Sequence, residues 1–297
     1  MQFKQIDEAC YYFEAAVNVG YIHKDGKGFL IDAGLEAAAA KKVVKQLDSQ
    51  NLPLTHLIIT HAHADHFGGA HHLKEKREVK VWAPRLEAAI IENPVLEPIY
   101  LFQGTNPLKE FRNKFLEGPA VQVDGIVEEG RFNLDGVLFT IHSLPGHSYN
   151  QIGIEHNGVL FAADSYFGVE QLKKHKIPYI VDVAQTMDSL EKLKTLSING
   201  SVPGHGNYEE DLERTIQENL DCHKNIVDSL ERFFLQNGAP SFEESFQFLC
   251  REYDVQIGHA SSFLLFRTAI GAYIAYLVEQ GKARLDVKDY KLVIQSI

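Results

Sequence analysis

The sequence predicts an α/β fold followed by a helical carboxy-terminal third, and three observations carry that expectation. Strand-like apolar runs alternate with helical periodicity from Val17 to Trp82. The apolar period shortens to two between Val121 and Asp164, and three amphipathic helical stretches follow Tyr208.

Up to about Gly34 the chain reads as short strands, Val17 to Ile22 and Phe29 to Asp32, around a turn at Asp25 to Gly28. A helix is expected from Leu35 to Leu47, a strand from Thr55 to Thr60, a helix from about Gly69 to Lys76, and a strand from Val79 to Trp82. Arg85 to Leu116 holds two helical patterns broken by prolines and rich in aromatics, and reads as a helical insertion (about 85–118) over the core. Antiparallel strands are expected at Val121 to Val123, Gly136 to Ile141 and Gln151 to Glu155, then a strand from Gly158 to Asp164 and a helix from Asp188 to Leu196. Leu212 to Leu235, Ser241 to Tyr253 and Ser262 to Gln280 follow as helices, with Ser241 and Glu244 spaced as a capping box. The tail alternates like a hairpin turning near Asp286 to Asp289, so residues 208–297 have the outline of a winged helix behind a first domain of residues 1–207.

The 297 residues suffice for a full core, and a 45% hydrophobic, 23% charged composition excludes a disordered chain. The opening MQFKQIDEACYYFEA has no basic stretch leading into an apolar one, and no segment reads as the roughly 20 apolar residues of a membrane span. A soluble cytoplasmic protein with no membrane partner is expected. Cys10, Cys222 and Cys250 are too scattered for a disulfide framework or a Cys metal site. The net charge of −11 works against nucleic acid as a partner.

The chemistry concentrates in HAHADH, residues 61–66, directly after the strand ending at Thr60. Three imidazoles and a carboxylate in so short a string suit a cation cage for Zn²⁺, Fe²⁺ or Mn²⁺. In extended backbone His61 and His63 face the same way, whereas Asp65 and His66 open the next helix and face elsewhere, so two adjacent metal positions fit better than one. Distant ligands must complete them. His147 follows the Pro145-Gly146 bend, Asp164 ends an apolar strand, and His205 sits between two glycines. Taken singly these read equally well as a surface-loop His, a helix-capping Asp and a turn His.

Together, Asp32 in LIDAG, the HxHxDH string, His147, Asp164 and His205 resemble the ordered signature of the metallo-β-lactamase superfamily across residues 17 to 206. The resemblance implies a four-layer αββα sandwich with two divalent metal ions at one edge. It implies that His61, His63 and His147 hold the first ion, Asp65, His66 and His205 the second, and that Asp164 bridges both. Asp32 becomes the acceptor that orients a ligand. A water shared by ions ~3.5 to 4 Å apart has a pKa near ~7 and supplies the nucleophile as a metal-bridging hydroxide. Asp65 is expected to act in catalysis as well as in binding, and Tyr166 is expected to donate to a developing oxyanion, as similar tyrosines do in related lactone hydrolases. Zn²⁺ is the expected metal, with Fe or Mn as alternatives.

The carboxy-terminal region resembles hydrolases near glyoxalase II and a lactamase-like endoribonuclease branch. The expected function is therefore hydrolysis of a small ester, thioester or lactone, with phosphodiester cleavage as the rival and a nucleic-acid-binding regulator as a further alternative. Beyond Tyr208 there are nine Lys and Arg against fifteen Asp and Glu, a net −6 that argues against tracking phosphates. The insertion suits a small apolar acyl group, with Lys109, Arg112 and Lys114 as candidate grips for an anion, or else forms a homodimer surface. The remaining histidines, His175 among them, read as structural.

Overall fold

The computed structural model describes residues 1–297. Seven strands form one sheet in sequence order: β1 (Gln2–Gln5), β2 (Cys10–Glu14), β3 (Val19–Lys24), β4 (Lys27–Ile31), β5 (His56–Ile58), β6 (Lys80–Ala83) and β7 (Gly125–Ile126). The first four pair antiparallel; β4 to β7 run parallel, joined by helical crossovers. The second sheet has five strands in the order β12-β11-β10-β9-β8, from β8 (Gly130–Leu134), β9 (Val137–Ser143), β10 (Ile152–His156), β11 (Val159–Ala163) and β12 (Gly200–Pro203).

Why the sheets stack is legible in strand alternation. Phe29 and Ile31 of β4 enter one core with Phe139, Ile154 and Phe161 of the facing sheet, while Leu30 between them enters another with Val43, Leu47 and Leu73. The latter three lie on α1 (Ala37–Ser49) and α3 (Ala70–Arg77), which cover the outer face of the first sheet. On the other side Leu144 and Leu160 pack with Leu190, Leu193, Ile216 and Leu220 of α7 (Val183–Thr195) and α8 (Glu213–Asn237). Helix, sheet, sheet and helix thus form four layers.

Several boundaries differ from expectation. Val121 to Val123 is not a strand; its pairing falls to the two-residue β7, because Asp124 draws the backbone in through the Val81 N–H and Lys74. The helix expected from Asp188 starts at Val183, where the Asp182 side chain accepts the Gln185 N–H as an N-cap. A short helix α2 (Ala64–Phe67) lies inside the His string, α6 (Val169–His175) has no counterpart in the sequence pattern, and β1 and β2 add to the sheet edge. The insertion comprises α4 (Arg85–Glu92), α5 (Leu96–Leu101) and a 3₁₀ turn at Lys109–Phe111.

After α8 come α9 (Phe242–Glu252), with the Ser241–Glu244 capping box in place, and α10 (Ala260–Glu279). The hairpin β13 (Ala283–Lys288) and β14 (Lys291–Ser296) turns at Asp289 and Tyr290, both left-handed, rather than earlier. Contrary to the expectation from sequence, α10 is by length and composition apolar enough to cross a membrane, with a mean hydropathy of 1.4. Its apolarity has a use inside the fold: Ile270, Tyr273, Ile274 and Leu277 pack against Ile226, Leu230 and Leu249, and Leu264 packs against Leu101 and Phe111 of the insertion.

Candidate metal centre

Strand β5 delivers the His string to the edge of the sandwich. Beyond it, Thr60 and His61 are fully buried and His63 occupies the N-cap position of α2, whose turn brings the His66 ring centroid to 4.2 Å from that of His61. From the opposite sheet come His147 in the loop after β9, Asp164 at the end of β11, and His205 after β12. Backbone strain helps aim two of these groups: Asp32 and Ala163, the latter just before Asp164, are left-handed at φ 64° and 50°. Gly204 is required for proximity, since a Cβ there would collide with Asp164 Oδ1 and the His66 ring.

Three overlapping groups of potential ligand atoms result, each within 4.8 Å: His61, His63 and His147; His61, His66 and Asp164; and Asp65, His66 and His205. All seven expected ligands therefore converge. The imidazoles are oriented from behind. His66 Nδ1 donates to Asp32 Oδ2 at 2.7 Å, His147 Nδ1 to the Tyr179 carbonyl at 2.8 Å, and His205 Nδ1 to the Ala16 carbonyl at 2.8 Å. Thr60 Oγ1 donates to Asp32 Oδ2 at 2.9 Å and stands 3.0 Å from His61 Nδ1, placing it to receive that proton. With Nδ1 of His61, His66, His147 and His205 committed outward, their Nε2 lone pairs face the centre, whereas His63 turns its Nδ1 inward.

The donor set fits divalent cations. His61 Nε2, His66 Nε2 and Asp164 Oδ1 are buried polar atoms with no hydrogen-bond partner, which is costly in an interior without an ion. His63 Nδ1 approaches His147 Nε2 at 2.9 Å, and His205 Nε2 lies 3.4 Å from Asp65 and 3.3 Å from Asp164. The two halves differ electrically. Burial holds His61 well below the ordinary imidazole pKa and, helped by His147, pushes His63 down to about 3. At His66 and His205 burial opposes the charge, but Asp164 and the other carboxylates outweigh it, raising His66 strongly and His205 to about 10. Asp65 and Asp164 are held low by those same imidazoles against the opposing effect of burial.

Tyr166 does not join this group, which corrects the expectation of a catalytic phenol there. Its ring is 1% exposed and packs among Leu144, Leu160 and Leu190, because β11 ends at Ala163 and the chain turns the side chain into the layer beneath. The phenol that does line the cavity is Tyr179, with ring centroids 5.3 Å from His63 and 5.7 Å from His147 and a buried Oη that has no partner. His175, expected to be structural, also lines the cavity, with its Nε2 unpaired. Neither carries a spacing signal in the sequence.

Glu87 is a third residue that sequence reasoning passes over. Fully buried on α4, it accepts the Ala62 N–H at 2.9 Å, the Ser148 hydroxyl at 2.7 Å and the Asn150 N–H at 2.8 Å. It thereby ties the His61–His63 loop to the His147 loop. Burial raises its pKa against those hydrogen bonds.

Above the ligands lies a cavity of about 350 Å³. Phe115 and Leu116 of the insertion form one wall, Phe167 and Ile177 a second, and Leu265 and Phe266 of α10 a third. No Lys or Arg lines it. The basic residues expected as anion grips are turned away from it: Arg112 pairs with Glu117, Lys114 pairs with Glu36, and Lys109 sits on the exposed face.

The signature described as "Metallo-beta-lactamase superfamily" matches residues 13–205. The chain belongs to that superfamily. Among curated relatives, hydroxyacylglutathione hydrolase GloC of Haemophilus influenzae is 29% identical over 60% of this chain and 80% of its own length. Lactamase-like protein adaB of Aspergillus niger is 25% identical over 68% of this chain and 55% of its own length. The atrochrysone carboxyl ACP thioesterase of Aspergillus fumigatus is 25% identical over 65% and 51%. The chain thus spans about half the length of the two Aspergillus relatives. Among solved structures, a beta-lactamase domain protein from Burkholderia ambifaria superposes with a TM-score of 0.76 at 15% identity, over 99% of this chain and 95% of that one. A metallo-beta-lactamase family protein from Thermus thermophilus gives 0.70 at 17%, over 94% and 93%.

Proposed function

We propose that this chain is a divalent-metal-dependent hydrolase of an ester, thioester or lactone bond in a small, largely apolar substrate. The observation that carries the reading is a converged imidazole and carboxylate cluster opening directly into a cavity walled by apolar side chains and without Lys or Arg. With no Lys or Arg in the lining, only the ions would neutralise a phosphate there and nothing would hold a longer polyanion, so cleavage of RNA is the weaker alternative. Relatives named as a hydroxyacylglutathione hydrolase and an ACP thioesterase support an acyl bond.

Two Zn²⁺ ions, or Fe or Mn in their place, would be held by His61, His63 and His147 on one side and Asp65, His66 and His205 on the other, with Asp164 between, and would supply Lewis-acid polarisation and a water acidified towards pKa ~7. The chain's own residues do the rest. Asp32 fixes the His66 ring, and Asp65, partly open to the cavity, accepts the proton released by the attacking water and returns it to the leaving atom. The Tyr179 hydroxyl donates to the oxygen on which charge develops. The apolar walls exclude competing water and seat the acyl chain.

We read the helices α8 to α10 with the hairpin as a winged-helix-like unit over residues 208–297, used here as a wall of the cavity rather than for nucleic acid. Its net charge of −6 and the position of α10 at the cavity support that use. The test is metal analysis of the full chain together with turnover of acyl 4-nitrophenyl esters, acyl thioesters, lactones and bis(4-nitrophenyl) phosphate. Cleavage of acyl substrates at least 100-fold faster than of the phosphodiester is expected. Preference for the phosphodiester overturns the reading.

A further inference from the structure

One acidic side chain in the cavity belongs to neither the ligand set nor the network behind it. Glu97, on α5 of the insertion, is 3% exposed and lines the same cavity as His63 and Asp65. Its carboxyl has no hydrogen-bond or ion-pair partner on the protein; burial, reinforced by the acidic Asp65 and Glu87, pushes its pKa well above the ordinary carboxylate range. Pro98 and Leu101 on the same helix are buried behind it, while Phe115, Leu116 and Leu265 line the cavity it faces.

Compare Glu87, only ten positions earlier and just as deeply buried, whose two oxygens receive three donors. The fold evidently can satisfy a buried glutamate here, and for Glu97 it does not. A carboxyl removed from water without a partner is destabilising, and such a group in an open cavity has its donor supplied by whatever enters. The ligand that enters is in contact with apolar walls elsewhere, so it carries its donor on an otherwise apolar body.

We infer that Glu97 is a specificity-determining residue that accepts a hydrogen bond from a hydroxyl or amine on the substrate, so that the cavity selects an apolar acyl chain bearing a donor over the same chain without one. This rests on the acyl-hydrolase reading of the metal centre. A site built around a buried acceptor discriminates strongly, because the analogue lacking the donor leaves the carboxyl unpaired in the complex.

Two measurements test it, one of which needs no turnover. In the metal-loaded full chain, kcat/KM is compared for 4-nitrophenyl esters of hexanoic, 6-hydroxyhexanoic and 6-aminohexanoic acid, in wild type, Glu97→Gln and Glu97→Leu. In chelator-treated protein, binding of 1-hexanol, hexylammonium and hexyl methyl ether is followed by calorimetry. Wild type is expected to favour at least one donor-bearing ester about 100-fold and the corresponding donor-bearing ligand at least tenfold; the two arms tell hydroxyl from ammonium. Glu97→Leu is expected to erase both preferences while melting no lower than wild type, since it removes an unpaired buried acid; Glu97→Gln supplies the comparison should the leucine fail to fold. Equal treatment of all three esters by wild type, or a preference that survives in Glu97→Leu, overturns the inference; Glu97→Gln, whose amide oxygen still accepts, is expected to lose a preference for the ammonium but keep one for the hydroxyl. Donor-selective binding without cleavage of any ester leaves Glu97 selecting its ligand and overturns the hydrolase reading instead.

Discussion

Asp32 Oδ2 receives both the His66 Nδ1 proton and the Thr60 hydroxyl, at 2.7 and 2.9 Å, so a single carboxylate oxygen outside the ligand set orients His66 directly and His61 through Thr60. Removing it in Asp32→Ala leaves an imidazole free to rotate in each half of the centre. Metal affinity of the Asp65, His66 and His205 site is expected to fall roughly 10- to 100-fold, as measured by competition with a chromogenic chelator. Unchanged affinity means the orientation of His66 is set elsewhere.

The two halves of the centre should load at different pH. His61 and His63 stay neutral far into acid, so their site takes up an ion without giving up a proton from either ring. His66 and His205 carry protons in the metal-free chain, His205 up to about 10, and an ion must displace them. Affinity of that site therefore rises with pH, by about tenfold per unit for each proton released, until pH approaches the raised pKa values. Dialysis at pH 5.5 is expected to retain one ion per chain and dialysis at pH 8 two; joint loss of both ions contradicts the assignment.

Glu87→Ala strands three donors inside the protein. A loss of about 3 kcal/mol in unfolding free energy is expected from denaturant titration. Because the Ala62 and Ser148 loops carry His61, His63 and His147, the first ion should weaken along with the fold. Glu87→Gln, which retains an oxygen for one donor pair, should lose less of both.

The two tyrosines separate position from sequence proximity. Tyr179→Phe is expected to lower kcat about 100-fold with KM within a factor of two, as for an interaction made in the transition state. Tyr166→Phe, altered inside an apolar cluster, should leave kcat unchanged. The opposite pattern from steady-state kinetics would return the catalytic phenol to Tyr166.

How far the sequence carries depends on range. The candidate ligands are readable because most of their motifs are local: HAHADH, PGHS and PGHG are short strings bound to strand ends and turns. Long elements with clean periods, α1, α8 and α9, are legible for the same reason. Tyr179, His175 and Glu87 are not, since each matters only through a partner from a distant part of the chain, and no spacing marks such a meeting. The choice of Tyr166 fails by counting along the chain from Asp164, where the strand end rotates the side chain out of the cavity. Val121 to Val123 shows the same limit from the other side: alternation suits a strand, but Asp124 anchors the segment before any ladder can form.

Helix α10 braces the terminal helices with one face and lines the cavity above the candidate ligands with another, yet it lies wholly beyond residue 205, where the superfamily signature ends. One wall of the cavity is consequently encoded outside the stretch that carries the candidate ligands, while Glu97, Phe115 and Phe167 of the same cavity are encoded inside it. Exchanging Leu265 or Phe266 would reshape that wall without touching a single ligand, whereas a cut at residue 207 would also strip Ile216 and Leu220 from the layer that covers the second sheet.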